Sequence, residues 1–311
     1  MAENSRPRGA LLAALAIGLG LAVAPAIFGM FSRAPAGGQM ISEFKPYMRA
    51  TTLDAFGADL QLIDAAHREV TASEPRPDSS GVSSFGREWP AIERDMSSML
   101  STIESNVPRY NGLVALPPFW AFPWFFVLPG LMIAGLAAWA LRSPPPRRRL
   151  ATLLLAACAL SVIAAPAVFQ MFTRAPGGAA MINDFRPLMT DDNIAKIQGS
   201  FLVIAGAEGE LRTAVLPQAA PGTLPATREF VAEWPRIAAE MAPMIGAMAD
   251  NLDNFAGVAA LPPFTLFPWF FVVPGVLVFA LALVARPPAE RQLASQPAAP
   301  AATPLLERSA S

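Results

Sequence analysis

LPPFWAFPWFFVLPG at 116–130 returns as LPPFTLFPWFFVVPG at 261–275, with three positions changed, and each copy leads into a long apolar run. Closely spaced prolines end a helix, since each lacks a backbone N–H and fixes its own φ. Tryptophan and its aromatic neighbours favour the boundary between water and lipid, where one end of the ring system stays wet. The motif therefore reads as a device for re-entering a membrane. Trp120, Trp124, Trp269, Phe122 and Phe267 are its predicted interface belt.

A bilayer core about 30 Å thick takes about 20 apolar residues in a helix. Four segments meet that length, at roughly 10–31, 119–141, 150–172 and 264–285, and none has an ionisable side chain in its interior. The whole chain agrees: of 311 residues, 53% are hydrophobic and only 15% charged, which is apolar for a soluble protein. Arg6 and Arg8 precede the first segment, Arg142 and Arg147, Arg148 and Arg149 fill the link at 142–149, and Arg286 and Arg291 follow the last. The excess of arginine at these places predicts cytoplasmic termini and link, with the loops at 32–118 and 173–263 outside a plasma (inner) membrane. The first segment also resembles a cleavable signal peptide, with a basic start and the small-residue stretch AVAPA. The third segment is internal, yet it leaves the membrane in the same words, AAPAVFQMFTRAPGG against AVAPAIFGMFSRAPAGG. The first segment is thus expected to be retained.

That likeness extends along both halves. MISEFKPYM from Met40 matches MINDFRPLM from Met181, and EWPAIERDM from Glu88 matches EWPRIAAEM from Glu233. The expectation is an all-α integral membrane protein, four transmembrane helices in two tandem two-span repeats at 10–141 and 150–285. Each unit has an even number of spans, so the two enter the membrane in the same sense, and a pseudo-two-fold axis along the membrane normal follows. Residues 1–9 and 286–311 are read as cytoplasmic ends, the latter a tail rich in Ala and Pro without apolar periodicity.

Each outer loop carries helical stripes. Met40, Phe44, Met48, Phe56, Leu60 and Ile63 recur at helical spacing, as do Trp89, Ile92, Met96, Met99, Ile103 and Val107, echoed by Trp234, Ile237, Met241, Met244, Met248 and Phe255. Breaker-rich stretches from Ser73 and Leu216 read as the turns of two extracytoplasmic helical hairpins. Their stripes would bury against each other as a four-helix bundle.

Motifs for chemistry are sparse. Cys158 and His67 are each the only residue of their type, which removes thiolate clusters and makes histidine catalysis improbable. No phosphate-cradling, zinc-binding or nucleophilic-triad pattern occurs, and a net charge of −1 gives no footprint for nucleic acid. No metal, cofactor or catalytic residue is therefore expected. The candidate binding residues are those at matched positions in both halves: Arg33 and Arg174, Glu43 and Asp184, Lys45 and Arg186, Trp89 and Trp234. The arginines follow the spans and could clamp a lipid phosphate or anchor to the nearby carboxylates. The carboxylate pairs Glu88 with Asp95 and Glu233 with Glu240 lie seven residues apart, about 10 Å along a helix, too far to act in one site.

The function this predicts is non-enzymatic: a cell-envelope membrane protein, in contact with membrane lipids. Its paired outer hairpins would bind an envelope protein, a second copy or a lipid-like ligand. A transporter of a lipid or hydrophobic compound through the cleft between repeats is the first alternative. An enzyme on lipid-linked substrates, which would need Glu43, Asp184, Glu88 or Glu233 to converge, is the second.

Overall fold

The computed structural model describes residues 5–73 and 79–286, and among them every regular element is helical. The middle of the first predicted turn, residues 74–78, and the tail from 287 lie outside the described residues. In the first half the order is α1 (Ser5–Ile27), α2 (Met30–Phe44), α3 (Ala50–Ala72), α4 (Ser80–Val114) and α5 (Trp124–Arg142). The second half runs α6 (Pro145–Val168), α7 (Met171–Phe185), α8 (Asp191–Glu210), α9 (Pro225–Asp250), α10 (Leu252–Ala259) and α11 (Trp269–Val284). Short 3₁₀ turns at Phe119–Ala121 and Phe264–Leu266 lead into α5 and α11.

Four helical stretches, Arg6–Ile27, Phe119–Arg142, Pro145–Val168 and Phe264–Val284, are long and apolar enough to cross a membrane. They close a ring in which α1 and α6 each pack against α5 and α11. Leu11, Ile133, Leu155 and Val278 fill its centre and are fully buried. The outward faces carry Leu12, Leu19, Leu131, Leu153, Leu160 and Leu277, about half exposed in the absence of lipid, the pattern a bilayer would cover. Where α1 crosses α5 the backbones nearly touch: a methyl added at Gly18 would lie 2.6 Å from the Ala134 nitrogen and 2.7 Å from the Gly130 oxygen. Small residues at such a crossing let two helices approach closely enough for dispersion forces to hold them where no hydrophobic drive exists.

The first and third candidate membrane helices end earlier than the apolar runs suggest. Gly29 (φ 62°) and Gln170 (φ 53°) both take the left-handed conformation, which stops one helix and starts α2 or α7 at the next residue. Glycine is free to adopt it; glutamine does so at a cost. The first long connection accordingly holds three consecutive helices, α2 to α4, and the second holds four, α7 to α10, rather than two each, with Pro46 and Pro187 in the turns after α2 and α7.

The outer helices form a second ring, α3 against α4 and α9, and α8 against α4 and α9. Trp89, Phe56, Phe85, Phe230, Ile63 and Ile237 fill it. Two carboxylates tie its corners. Glu69 of α3 accepts from the Ala226 and Thr227 backbone nitrogens at 3.0 and 2.9 Å, capping α9, and Glu210 of α8 accepts from Val82 nitrogen at 2.9 Å, capping α4. Both satisfy first-turn N–H groups that have no partner within their own helix.

Between the rings, the short helices are exchanged. Helix α2 of the first half docks on α10 of the second, and α7 of the second docks on α4 of the first. Gly37 and Gly178 are the contact points; a methyl at either would meet Val258 Cγ2 at 2.8 Å or Leu113 Cδ2 at 3.0 Å.

Candidate ligand cavity between the halves

The exchanged helices roof a cavity. Met40, Ile41 and Phe44 of α2, with Tyr47 and Met48 beyond it, face Met181, Ile182 and Phe185 of α7, with Leu188 and Met189. Met99, Ile103 and Tyr110 of α4 and Met244, Met248 and Phe255 of α9 and α10 complete the wall. The four-residue steps Met40 to Phe44, Met99 to Ile103 and Met244 to Met248 put these side chains on single helical faces. The space is about 70 Å³, partly open, and offers no polar surface. Drug-sized ligands occupy roughly 300–1,000 Å³, so occupancy requires the wall to yield. Its composition allows that: seven of the chain's 13 methionines line it, and an unbranched thioether repacks around irregular apolar shapes. The one hydroxyl deep in the wall, Tyr110, donates to the Ile41 carbonyl at 2.7 Å, and burial raises its pKa, so it stays neutral.

A smaller apolar space of about 30 Å³ lies at the join of the two rings, lined by Met30, Ala34, Leu113 and Phe122 from one half and Met171, Ala175, Leu261 and Phe267 from the other. On α4, Leu113 is one turn beyond Tyr110, so the two spaces are stacked along the same helix.

Two buried asparagines fasten the roof. Asn251, with no exposed surface, donates to Glu43 Oε2 at 2.5 Å and to the Ala247 carbonyl at 2.9 Å. Asn106, equally buried, donates to Asp184 Oδ2 at 3.1 Å and to the Thr102 carbonyl at 2.9 Å, while Arg109 bonds Asp184 at 2.5 Å and Asn106 Oδ1 at 2.9 Å. Each asparagine joins a long outer helix to the short helix from the other half. Replacing Asn106 by alanine removes a buried donor and both of its bonds, and is expected to lower stability by about 1–2 kcal/mol. Thermal unfolding in detergent measures it. At the other clasp, hydrogen bonds from Asn251 and then Gln39 hold the Glu43 carboxyl below its ordinary value of about 4.5. The folded chain therefore takes up this proton less readily than the unfolded one. The contribution is complete above the ordinary value and is lost as pH falls through the lowered one. The gap in unfolding temperature between wild type and Glu43→Gln should accordingly close as the pH is taken into that acid range.

The other sequence candidates are placed differently. Arg33 donates to the Ala260 carbonyl at 3.5 Å and to Phe28 at 3.3 Å, and Arg174 donates to the Ala115 carbonyl at 2.9 Å. Both neutralise the carbonyl end of the other half's outer helix rather than pairing with Glu43 or Asp184. Lys45 and Arg186 are exposed at the ends of α2 and α7 and take no part in the cavity. Trp89 is buried with its Nε1 donating to Asp64 at 3.1 Å, and Trp234 is buried against Phe201 at 5.2 Å between ring centres; both are packing of the outer ring. Of the residues expected in an aromatic belt, Trp120, Trp124 and Trp269 are exposed. Phe122 and Phe267 are buried, 6.3 Å apart edge to face, each just after a 3₁₀ turn.

The carboxylates have separate partners. Glu43 and Asp184 serve the two clasps, Glu233 and Glu240 bind Arg236, Asp95 binds Lys196 at 2.6 Å, and Glu88 is exposed. Among the described residues no group of three or more His, Cys, Asp or Glu side chains is arranged to hold a metal ion. Asn106 and Asn251 escaped the sequence reading, although each interrupts an apolar stripe at the same place in both halves, which is the signal that would have found them. No protein-family model matches the chain and no curated protein matches its sequence.

Proposed function

We propose that the chain is a cell-envelope membrane protein, built from two tandem two-span repeats around a pseudo-two-fold axis, that binds a hydrophobic, lipid-like ligand between its outer helices. The observation that carries this reading is the methionine and aromatic cavity roofed by α2 and α7. Its wall takes matching positions from both halves, such as Met40 with Met181 and Met99 with Met244, as a site on the repeat axis would. The absence of polar lining favours an acyl or isoprenoid chain whose polar end stays outside. The excess of arginine at the opposite end of the membrane helices supports an extracytoplasmic outer domain. Protein partners are a weaker form of the same proposal, since the apolar stripes are spent on the internal core and leave no apolar face for docking there.

Filling the cavity tests this. Tryptophan at Ile103 or Met248 occupies the space at a stability cost of about 1–3 kcal/mol, typical of overpacking. Full-length protein purified in detergent should retain lipid through delipidation and bind a fluorescent fatty acid. The filled variants should bind at least about tenfold more weakly, the equivalent of 1.4 kcal/mol. Equal binding by a filled variant that unfolds cooperatively would remove the proposal.

The stacked second space favours one alternative, movement of such a compound between the membrane and the outer cavity. Transfer of the same fatty acid between vesicles and reconstituted protein distinguishes carriage from simple retention.

A further inference from the structure

The basic end of the membrane ring holds a guanidinium that lacks a counterpart. Arg148, in the first turn of α6, has its Nε and Nη2 enclosed by protein and without a hydrogen-bond acceptor. These two nitrogens form one edge of the planar fork, the edge that receives two oxygens of a carboxylate or phosphate together. Buried charged donors are almost always paired, because leaving them unpaired forfeits their hydration with nothing in return.

The surroundings make the deficit larger. Arg8 of α1 adds a like charge at Arg148, and Arg6, Arg142 and Arg147 stand at the same end of the helices. The described residues there, 5–9, 142–149 and 286, include no Asp or Glu. The nearby buried hydroxyl, Thr152, is already bonded to the Arg149 carbonyl at 3.0 Å. What the fork edge lacks is an anion with two oxygens, which reaches it as the side chains that enclose the two nitrogens part.

We propose that Arg148, with Arg8 beside it, holds the phosphate of an anionic phospholipid in bidentate fashion at the basic end of the four membrane helices. The site is independent of the outer cavity, and stands if that cavity binds nothing. It differs from the general attraction of surface arginines for anionic lipid, worth about 1 kcal/mol each and indifferent to geometry, because it depends on one fork edge.

Native mass spectrometry of the full-length protein released from phosphatidylglycerol and phosphatidylcholine nanodiscs tests the assignment. Wild type should keep one phosphatidylglycerol after the phosphatidylcholine has been stripped. Arg148→Gln should lower that retained fraction about tenfold, as expected for losing hydrogen bonds to a charged group. Arg148→Lys, which keeps the charge without the fork, should fall well short of wild type, whereas exposed Arg147→Gln should match it. Equal retention by Arg148→Lys and wild type overturns the bidentate clamp, and does so even if the glutamine variant fails to fold. Equal loss in Arg147→Gln and Arg148→Gln reduces the effect to surface charge and also overturns it. In phosphatidylcholine nanodiscs given inorganic phosphate, retention of free phosphate as firmly as phosphatidylglycerol would overturn the lipid assignment.

Discussion

Leucine at Gly130 is expected to prevent α1 from packing on α5 and to yield protein that aggregates on extraction from the membrane. Even the first carbon of a side chain at Gly130 would lie 2.6 Å from the Ala22 nitrogen and 2.7 Å from the Gly18 oxygen. Both are backbone atoms inside helices, so no rotamer change relieves the clash and one helix must move away. Separation forfeits the dispersion contacts of the whole crossing, and a loss above about 3 kcal/mol follows. The matching glycine of the second half provides an internal comparison. A methyl at Gly275 would meet Ile163 Cγ1 at 2.7 Å, a side-chain atom that can rotate, with the nearest backbone atom 3.2 Å away. Gly135 has nothing within 4 Å. Alanine substitutions should therefore rank in unfolding temperature as Gly130 lowest, Gly275 intermediate and Gly135 close to wild type. Equal temperatures for Gly130→Ala and Gly135→Ala would contradict the crossing.

Methionine at Arg236 should be the most damaging change in the outer ring. Asp59 of α3 is 3% exposed and receives Arg236 Nη2 at 2.6 Å and Nη1 at 3.4 Å, the bond that joins α3 to α9 at mid-length. The same guanidinium bonds Glu233 at 2.8 Å and Glu240 at 3.1 Å. Removing it leaves a carboxylate buried without a counter-charge and two more in repulsion. Breaking buried pairs costs about 3–5 kcal/mol, and about 3 is expected here because the arginine itself is partly in water. Asp59→Leu combined with Arg236→Met should recover most of the loss, since an apolar pair removes the stranded charge. Chemical unfolding of the two single variants and the double variant closes a thermodynamic cycle; a double variant no better than Arg236→Met alone would show that the buried charge is not the cause.

Uninterrupted apolar length made the four candidate membrane helices legible, because a span needs about 20 such residues in a row. Their ends were less so. Met30, Phe31, Met171 and Phe172 continue the apolar run, while the break is made by backbone conformation at Gly29 and Gln170. A glycine hints at such a turn; a glutamine gives no hint. The stripes from Trp89 and Trp234 correctly named buried faces, but an amphipathic face does not say which helix will cover it. For that reason the docking of α2 on α10 and of α7 on α4 was invisible, and with it the cavity they roof. Residue type alone did not reveal that Phe122 and Phe267 pack against each other. Arg236 stands where the first half has Ala91, so a search confined to matched positions passed over the ion pair that joins α3 to α9.

The exchange of α2 and α7 also bears on how the protein is made. When a ribosome has released the first half, α4 lacks α7 and α8, and α3 lacks α9. Methionine and aromatic faces then stand bare until another hundred or so residues have been translated. That interval is a window for proteolysis and for capture by chaperones, and it couples survival of the nascent chain to the speed of elongation. Synonymous codon changes in the second half, which leave every contact intact, would thus alter how much protein reaches the membrane.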